Sequence, residues 1–146
     1  MRIEQNDMLM GIAELIAQRG TCNRLQVGAI IVRDGRILST GYNGNAQGMP
    51  HCRHELGSAQ CTTAVHAEAN AILWSARTGQ RTQDTWLYTT HQPCLECAKM
   101  IVNAGITRLT YLHDYRIADG LEFLVNAGLL VYRMKATDRS FYQVTR

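Results

Sequence analysis

Apolar positions near the start of the chain recur at the three-to-four-residue spacing of an amphipathic helix. They are Ile3, Met8, Ile12, Leu15 and Ile16. Asn6 or Asp7 is a candidate cap for the start of this helix, and Gly20 follows as a stop. The pattern therefore predicts a first amphipathic helix.

The next apolar stretches have the character of strands. Residues 27–32 form a nearly continuous apolar run, and residues 36–42 resume an extended pattern. Asp34-Gly35 between them is a favoured two-residue hairpin turn, so two antiparallel strands are predicted. A polar stretch with several glycines follows as far as Thr63, and a loop of this length in a compact domain usually serves a function.

Helices and strands alternate in the second half of the chain. The pattern predicts helices at residues 64–77, 94–104 and 117–127, and strands at residues 85–90, 107–112 and 129–134. Such alternation favours right-handed crossovers with parallel pairing, whereas the opening hairpin is antiparallel. We therefore expect an α/β fold with three layers, α/β/α, in which a mixed five-stranded sheet has helices on both faces. The pattern predicts no structure for residues 135–146.

Length and composition agree with one domain spanning residues 1–146. The 146 residues include 46% hydrophobic and 18% charged residues, an ordinary globular balance. No run approaches the roughly 20 apolar residues that a membrane span needs, and no secretory segment opens the chain. We therefore expect a cytoplasmic protein whose five cysteines are reduced thiols. The net charge is +3 and basic residues are scattered, which neither demands nor excludes a nucleic-acid surface.

The strongest chemical signal lies in two segments, HAE at residues 66–68 and PCLEC at residues 93–97. One imidazole and two thiolates can bind zinc and leave a fourth position for water, as catalytic zinc sites do. Cys94 and Cys97 are three residues apart, so on a helix both sulfur atoms lie on one face. Pro93 indicates a helix start, where the helix dipole favours thiolates. The pattern predicts that His66, Cys94 and Cys97 ligate zinc and that Glu68 handles protons.

Other interpretations of these residues stay open. A C-x-x-C pair in a cytosolic chain can be a redox pair, and a lone histidine is often a satisfied core or surface residue. A structural zinc with four protein ligands is a third interpretation, because Cys61 and His54 lie upstream. The coincidence of both segments, in this order and at helix starts, favours the catalytic site.

The two segments resemble the signature of zinc-dependent cytidine deaminases, H-x-E followed by P-C-x-x-C. Other segments between about residue 22 and residue 115 extend the resemblance to the deoxycytidylate (dCMP) deaminases. They are QVGA at 26–29, GYNG at 41–44, Cys52, HAEANAI at 66–72, PCLECAK at 93–99 and AGI at 104–106. The GYNG loop is the part that indicates this branch. The resemblance implies a cytidine deaminase-like fold and hydrolysis of dCMP to dUMP with release of ammonia.

The resemblance also implies how the motif residues act. His66, Cys94 and Cys97 would bind Zn²⁺, which lowers the pKa of water and so makes hydroxide available for attack on C4 of cytosine. Glu68 would take the water proton, pass it to N3 and then protonate the departing amine.

Four further residues are candidates for substrate binding. Asn43 would contact the sugar, although an asparagine in a glycine-flanked turn is the alternative. Tyr115 would pack against base or sugar, since it follows a strand at the edge where open α/β sheets bind ligands. Arg24 and Arg116 are candidates for the 5′-phosphate because guanidinium binds phosphate bidentately, and each is equally compatible with a solvated surface position.

Members of the dCMP deaminase family are similar in being hexameric, activated by dCTP with a divalent cation such as Mg²⁺, and inhibited by dTTP. If these properties carry over, the candidate effector site is the loop containing Asn43, Gly44, Asn45 and Gly48. Glycines there would let backbone amides approach a triphosphate.

Trp74 and Arg77 lie three residues apart on the predicted helix that carries His66. Both residue types are favoured anchors of subunit interfaces, so we expect them at a homo-oligomer contact. A core tryptophan beside a surface arginine is the alternative.

Some family members carry a second, structural zinc, and Cys22, Cys52, His54 and Cys61 leave room for one. Their spacings form no recognised four-ligand pattern. Separate buried or surface thiols are therefore the default interpretation.

Two other functions remain to be weighed. Deamination of another base, such as adenosine in tRNA or guanine, would use the same chemistry, but a tRNA enzyme needs a basic, aromatic-lined surface that the scattered charges do not indicate. A non-catalytic, zinc-stabilised nucleotide-binding module would have no need of Glu68 beside its metal. The predicted partners are therefore a nucleotide substrate and nucleotide effectors, without nucleic acid or membrane.

Overall fold

The structure, a computed structural model, describes residues 1–55 and 61–145, which form four helices and six strands. The helices are α1 (Gln5–Ala17), α2 (Ala67–Arg77), α3 (Leu95–Asn103) and α4 (Asp119–Asn126). The strands are β1 (Gly28–Arg33), β2 (Arg36–Tyr42), β3 (Trp86–His91), β4 (Arg108–His113), β5 (Leu130–Met134) and β6 (Phe141–Val144). Within the described ranges, each helix falls short of the length and hydropathy that crossing a bilayer would take.

All six strands belong to one mixed sheet with the order β2-β1-β3-β4-β5-β6. β1 is antiparallel to both β2 and β3, whereas β3, β4 and β5 are parallel to one another. This arrangement confirms the predicted antiparallel hairpin followed by parallel crossovers. The carboxyl ends of β3 and β4 therefore meet at one edge of the sheet, where open α/β sheets bind their ligands.

Helices cover both faces of the sheet, as predicted, because alternate strand residues point to opposite sides. On one face, Ile30 and Val32 of β1 belong to an apolar cluster with residues of α1. On the other face, Ala29 and Ile31 belong to a cluster with residues of α2, α3 and α4. The helices that carry the predicted metal ligands therefore pack on the second of these faces.

The prediction of five strands is wrong by one. β6 lies in the tail for which the sequence pattern predicted no structure, and it pairs antiparallel with β5 from Val131–Val144 to Met134–Phe141. Its first three side chains are exposed and the fourth is half-buried. Because no face of β6 is buried, the strand has no apolar alternation, and only its backbone pairing defines it.

The predicted caps of the first helix are also wrong. α1 begins after Glu4, and no side chain caps it. Asn6 instead accepts a hydrogen bond from the Tyr88 hydroxyl at 2.6 Å through its Oδ1, which ties α1 to β3.

Three helices begin later than the pattern predicted: α4 begins at Asp119 instead of residue 117, and the other two carry the motif residues. α2 begins at Ala67, because Val65 pairs with Gly44 in an isolated antiparallel bridge and His66 is the extended N-cap residue. α3 begins at Leu95, with Cys94 as its extended N-cap residue. His66 and Cys94 therefore both stand at the junction between an extended segment and a helix.

Gly41 marks the closest approach of β2 to α2, and substituting it tests this packing. A Cβ there would meet Ala67 O and Ala71 N, so Gly41→Ala forces α2 away from the sheet. We expect the free energy of unfolding to fall by about 1–3 kcal/mol in denaturant titrations. Gly11→Ala in α1, where a Cβ meets nothing within 4 Å, is the matched control and should be neutral or stabilising. Equal unfolding free energies for both variants would contradict this account.

Candidate active site

The three predicted metal ligands lie together where α2 and α3 begin. Nδ1 of His66 lies 3.4 Å from Sγ of Cys94 and 3.4 Å from Sγ of Cys97. A tetrahedral zinc ion with bonds of about 2.0–2.3 Å separates its ligand atoms by about 3.5 Å. The donor types and their separations therefore fit one zinc ion.

The helix starts produce this convergence. The carbonyls of His66 and Cys94 accept the first hydrogen bonds of their helices, from Asn70 N and Ala98 N, both at 2.9 Å. Neither cap side chain bonds to its own helix, so both side chains stay available to ligate. Cys97 lies one turn into α3, on the same face as Cys94, as the three-residue spacing predicted.

The three predicted ligand side chains shift one another's pKa. Hydrogen bonds from Cys97 and, to a smaller extent, from His66 lower the pKa of Cys94 to about 4. The pKa of Cys97 rises because its thiol donates to Cys94 and because it is buried. The hydrogen bond to Cys94 also raises the pKa of His66. A zinc ion at this position would displace the thiol protons and hold both sulfur atoms as thiolates.

Glu68 lies in the first turn of α2, beside the metal ligands, and is only 4% exposed. Burial raises the pKa of its carboxyl group, and the nearby His66 charge partly opposes the rise. A carboxyl group with a raised pKa binds and releases protons nearer to neutral pH, which a proton carrier requires.

A pocket opens onto His66, Glu68 and Cys94. Three of the four predicted substrate residues line it, namely Arg24, Asn43 and Tyr115. Arg116 is not among the described residues that line the pocket; its guanidinium lies 6.0 Å from the centre of the Tyr115 ring and is exposed. The structure therefore brings Arg24 to the pocket, and Arg116 only to the neighbourhood of the Tyr115 ring.

Asn43 is buried, and its side chain fixes one wall of the pocket. Its Oδ1 accepts a hydrogen bond from Val27 N at 2.7 Å, and its Nδ2 donates to Leu25 O at 2.6 Å. These bonds leave one amide hydrogen and one lone pair for a ligand. Asn43 therefore lines the pocket and holds the backbone of Leu25 and Val27, and its contact with the sugar stays a prediction.

Gln92 is a pocket residue that the sequence did not indicate. It is buried, its Nε2 donates to Ile117 O at 2.8 Å, and its Oε1 accepts from Tyr115 N at 3.2 Å. Its own backbone N–H bonds to His113 O at 2.9 Å. Gln92 thus fastens the segment that carries Tyr115 to the end of β3. In the sequence, only its position directly before Pro93 and Cys94 could have indicated that Gln92 belongs to the pocket.

His91 also lines the pocket without having been predicted. Thr90 Oγ1 accepts a hydrogen bond from Gly28 N at 3.1 Å and lies 2.9 Å from Nδ1 of His91. The hydroxyl group of Thr90 can either donate its hydrogen to Nδ1 or accept a hydrogen from it, so this contact fits both tautomers of the ring. Burial, with the neighbouring His113, lowers the pKa of His91 to about 4, so the ring is neutral at pH 7.

The predicted effector residues divide between two places. Asn43 lines the pocket just described, whereas Gly44, Asn45 and Gly48 line a separate groove that also includes Trp74. Trp74 is 49% exposed, so the alternative of a core tryptophan is wrong.

The side chain of Arg77 in α2 contacts two residues that line this groove, Trp74 and Gln47. Its guanidinium lies 5.2 Å from the centre of the Trp74 ring, and its Nη1 bonds to Gln47 at 3.1 Å. The predicted interface pair is therefore an exposed cation–π pair at the rim of the groove.

A second cluster of potential ligands lies outside this centre. One ligand atom from each of Cys22, Cys52, His54 and Cys61 lies within 4.8 Å of the others. The sequence favoured separate thiols here, whereas the structure brings all four residues together.

Comparison with known proteins agrees with this geometry. Residues 3–113 match the cytidine and deoxycytidylate deaminase zinc-binding region. ComE operon protein 2 of Bacillus subtilis is 43% identical over 138 residues, which covers 92% of this chain and 73% of the relative. Deoxycytidylate deaminase of Mycobacterium phage D29 is 36% identical over 125 residues, which covers 75% of this chain and 95% of the relative.

A solved structure extends the similarity to the fold. The dCMP deaminase of cyanophage S-TIM5, crystallised in complex with dCMP and dUMP, is 36% identical with a TM-score of 0.85. The match covers 92% of this chain and 99% of the cyanophage chain. With the His66, Cys94 and Cys97 cluster beside Glu68, these matches show that the chain belongs to the family of zinc-binding cytidine and deoxycytidylate deaminases.

Proposed function

We propose that this chain, acting as one deaminase domain over residues 1–146, hydrolyses dCMP to dUMP and releases ammonia. The observation that carries the proposal is the convergence of His66, Cys94 and Cys97 beside the buried Glu68 at the end of a pocket. The relatives named as dCMP deaminases match over nearly their whole length in the phage D29 and cyanophage proteins.

The residues of the pocket divide the work of the reaction. Zinc bound by His66, Cys94 and Cys97 would make hydroxide available at neutral pH by lowering the pKa of water. Glu68 takes the proton released from that water and delivers it to N3 of cytosine. Glu68 then takes the proton of the hydroxyl group now on C4 and delivers it to the amine; the C4–N bond breaks, ammonia leaves and C4 becomes the carbonyl carbon of uracil. Its burial keeps the carboxyl group from losing these protons to bulk water.

The remaining pocket residues orient the nucleotide. Arg24 is exposed at the pocket and bears a permanent charge, so we assign it the 5′-phosphate in preference to Arg116. Tyr115 packs against base or sugar, and the unused amide positions of Asn43 contact the sugar. A nucleotide held at both ends presents C4 to the metal centre.

Two features weigh against the alternative functions. A tRNA deaminase needs a basic surface for its polynucleotide, and the net charge is only +3 with no run of basic residues. A non-catalytic zinc module would gain nothing from a carboxyl group buried beside its metal, because burial without function costs free energy.

Replacing Glu68 separates chemistry from metal binding. We expect purified protein to release ammonia from dCMP, and Glu68→Ala to lower kcat at least about 100-fold while keeping its zinc at the His66 centre. Glu96→Ala, on the exposed first turn of α3, is the control and should keep full activity. The measurements are ammonia release and zinc per chain. A protein that is inert toward dCMP, dCTP and deoxycytidine but modifies a tRNA would show the substrate assignment to be wrong.

Gln92 provides a second test, because both hydrogen bonds of its side chain hold the segment that carries Tyr115. Gln92→Leu removes both side-chain bonds and should raise the KM for dCMP about tenfold, which corresponds to about 1.4 kcal/mol. The change in kcat should be smaller. Gln92→Glu keeps the acceptor for Tyr115 N–H and loses the donor to Ile117, so its KM should fall between the other two. An unchanged KM with reduced thermal stability would make Gln92 a purely structural residue.

We further propose that nucleotides regulate the enzyme and that it assembles as a hexamer. The groove lined by Gly44, Asn45 and Gly48 is the candidate site for dCTP with Mg²⁺ and for the competing dTTP. Trp74, at the rim of this groove, and Arg77 would lie at a subunit interface. An effector bound in the groove would therefore change the strength of the contact between subunits.

Rates at sub-saturating dCMP test this regulation. We expect dCTP with Mg²⁺ to raise the rate and dTTP to lower it, and Trp74→Ala to weaken both responses and reduce the molecular mass in sedimentation. Indifference of the wild-type enzyme to both nucleotides would contradict the effector site. A wild-type monomer in sedimentation would contradict the interface.

A further inference from the structure

The last two strands of the chain contact the segment that carries Tyr115. Asp114, directly before Tyr115, forms an ion pair with Arg133 of β5, with 2.6 Å between Oδ2 and Nη2. Nη1 of Arg133 donates a hydrogen bond to the hydroxyl oxygen of Tyr142 in β6 at 3.1 Å. We call Asp114, Arg133 and Tyr142 the tail network. It leads from the end of the chain to a residue that lines the substrate pocket.

The register of the sheet explains why these side chains meet. Arg133 pairs with Tyr111 of β4 on one side and with Tyr142 of β6 on the other. Paired residues of neighbouring strands point to the same face of a sheet, so these three side chains share one face. β4 ends at His113, and Asp114 is the first residue beyond it. The guanidinium of Arg133 therefore reaches the chain just where it leaves the sheet for the pocket.

The tail network and Gln92 hold different atoms of the Tyr115 segment. Gln92 bonds to the backbone, at Tyr115 N and Ile117 O. Arg133 bonds to a side chain, the carboxylate of Asp114. With the Asp114 side chain and the next backbone N–H both fixed, little freedom is left to the dihedral angles between them. The two supports together therefore set the direction in which the Tyr115 ring leaves the backbone.

The tail network lies outside the part of the chain that carries the deaminase motifs. The match to the zinc-binding region ends at residue 113, and all three residues of the network follow it. Among the described residues that line the pocket, none comes from β5 or β6. The contact with Asp114 is therefore the connection through which these strands bear on the substrate.

We infer that the tail network positions the Tyr115 ring for packing against the nucleotide. This inference rests on the role proposed above for Tyr115 in substrate binding. The predicted metal ligands and Glu68 belong to the starts of α2 and α3, which the network does not contact, so it acts on binding and leaves the reacting groups in place. The side chains of Arg133 and Asp114 are 33% and 55% exposed, so water screens their attraction and the effect is modest.

Arg133→Met tests the network, because it removes both contacts of the guanidinium and keeps an unbranched side chain on β5. We expect the KM for dCMP to rise about fivefold while kcat changes less than about twofold. Arg133→Lys keeps a positive charge within reach of Asp114 and should recover most of the loss. Tyr142→Phe removes only the hydroxyl acceptor and should raise the KM less than Arg133→Met does.

Arg139→Met is the matched control. Nη2 of Arg139 pairs with Oε2 of Glu14 in α1 at 2.8 Å, and the two side chains are similarly exposed, at 34% and 35%. This ion pair also holds the end of the chain, but it reaches α1 instead of the Tyr115 segment. Arg139→Met should therefore lower the thermal stability about as much as Arg133→Met and leave the KM at its wild-type value.

A Tyr115→Ala background shows whether the network acts through the ring. Arg133→Met should have no further effect on the KM there, since no ring is left to position. Hydrogen exchange of backbone amides gives a readout that needs no turnover. The Tyr115 N–H, which bonds to Gln92, should exchange faster in Arg133→Met and at the wild-type rate in Arg139→Met.

The outcomes separate the inference from the proposed function. An unchanged KM in Arg133→Met, an equal rise in Arg139→Met, or a rise that persists in the Tyr115→Ala background overturns the inference. If Arg133→Met does not fold, Asp114→Asn removes the charge from the more exposed partner and takes its place in each measurement. Failure of the deaminase function would appear as absent dCMP turnover in the wild type, while amide exchange would still report whether the network holds the segment.

Discussion

The structure depends on a single geometric constraint, the meeting of two helix starts at one point on the sheet. His66 and Cys94 are extended cap residues whose carbonyls begin α2 and α3, so their side chains are free to face each other. Any shift of either helix along the sheet would separate the imidazole from the sulfur atoms. The close approach at Gly41 and the bridge between Gly44 and Val65 fix α2 against such a shift.

The walls of the pocket are held by hydrogen bonds to backbone atoms. Asn43 holds one lining segment through Leu25 and Val27, and Gln92 holds another through Tyr115 and Ile117. Both amides are buried, where such bonds are strong and unpaired groups costly. The pocket is thus lined in part by two segments of irregular backbone, each fixed by one amide side chain.

Sequence reasoning reached the metal centre more easily than the pocket around it. His66, Cys94 and Cys97 were predictable because zinc accepts few side-chain types and because helix geometry limits their spacing. Gln92 was missed because an amide that bonds to backbone carries no periodic or motif signal. Strand β6 was missed because it buries no face, and the second cysteine cluster because its ligands come from loops, where spacing along the chain says nothing about distance in space.

The separation of the ligands along the chain bears on how the site forms. His66 lies 28 residues before Cys94, and between them run α2 and the whole of β3. β3 is in turn paired with β1 on one side and β4 on the other. The three side chains therefore come together only after the centre of the sheet has assembled, so a metal ion that needs all three as ligands would bind late in folding.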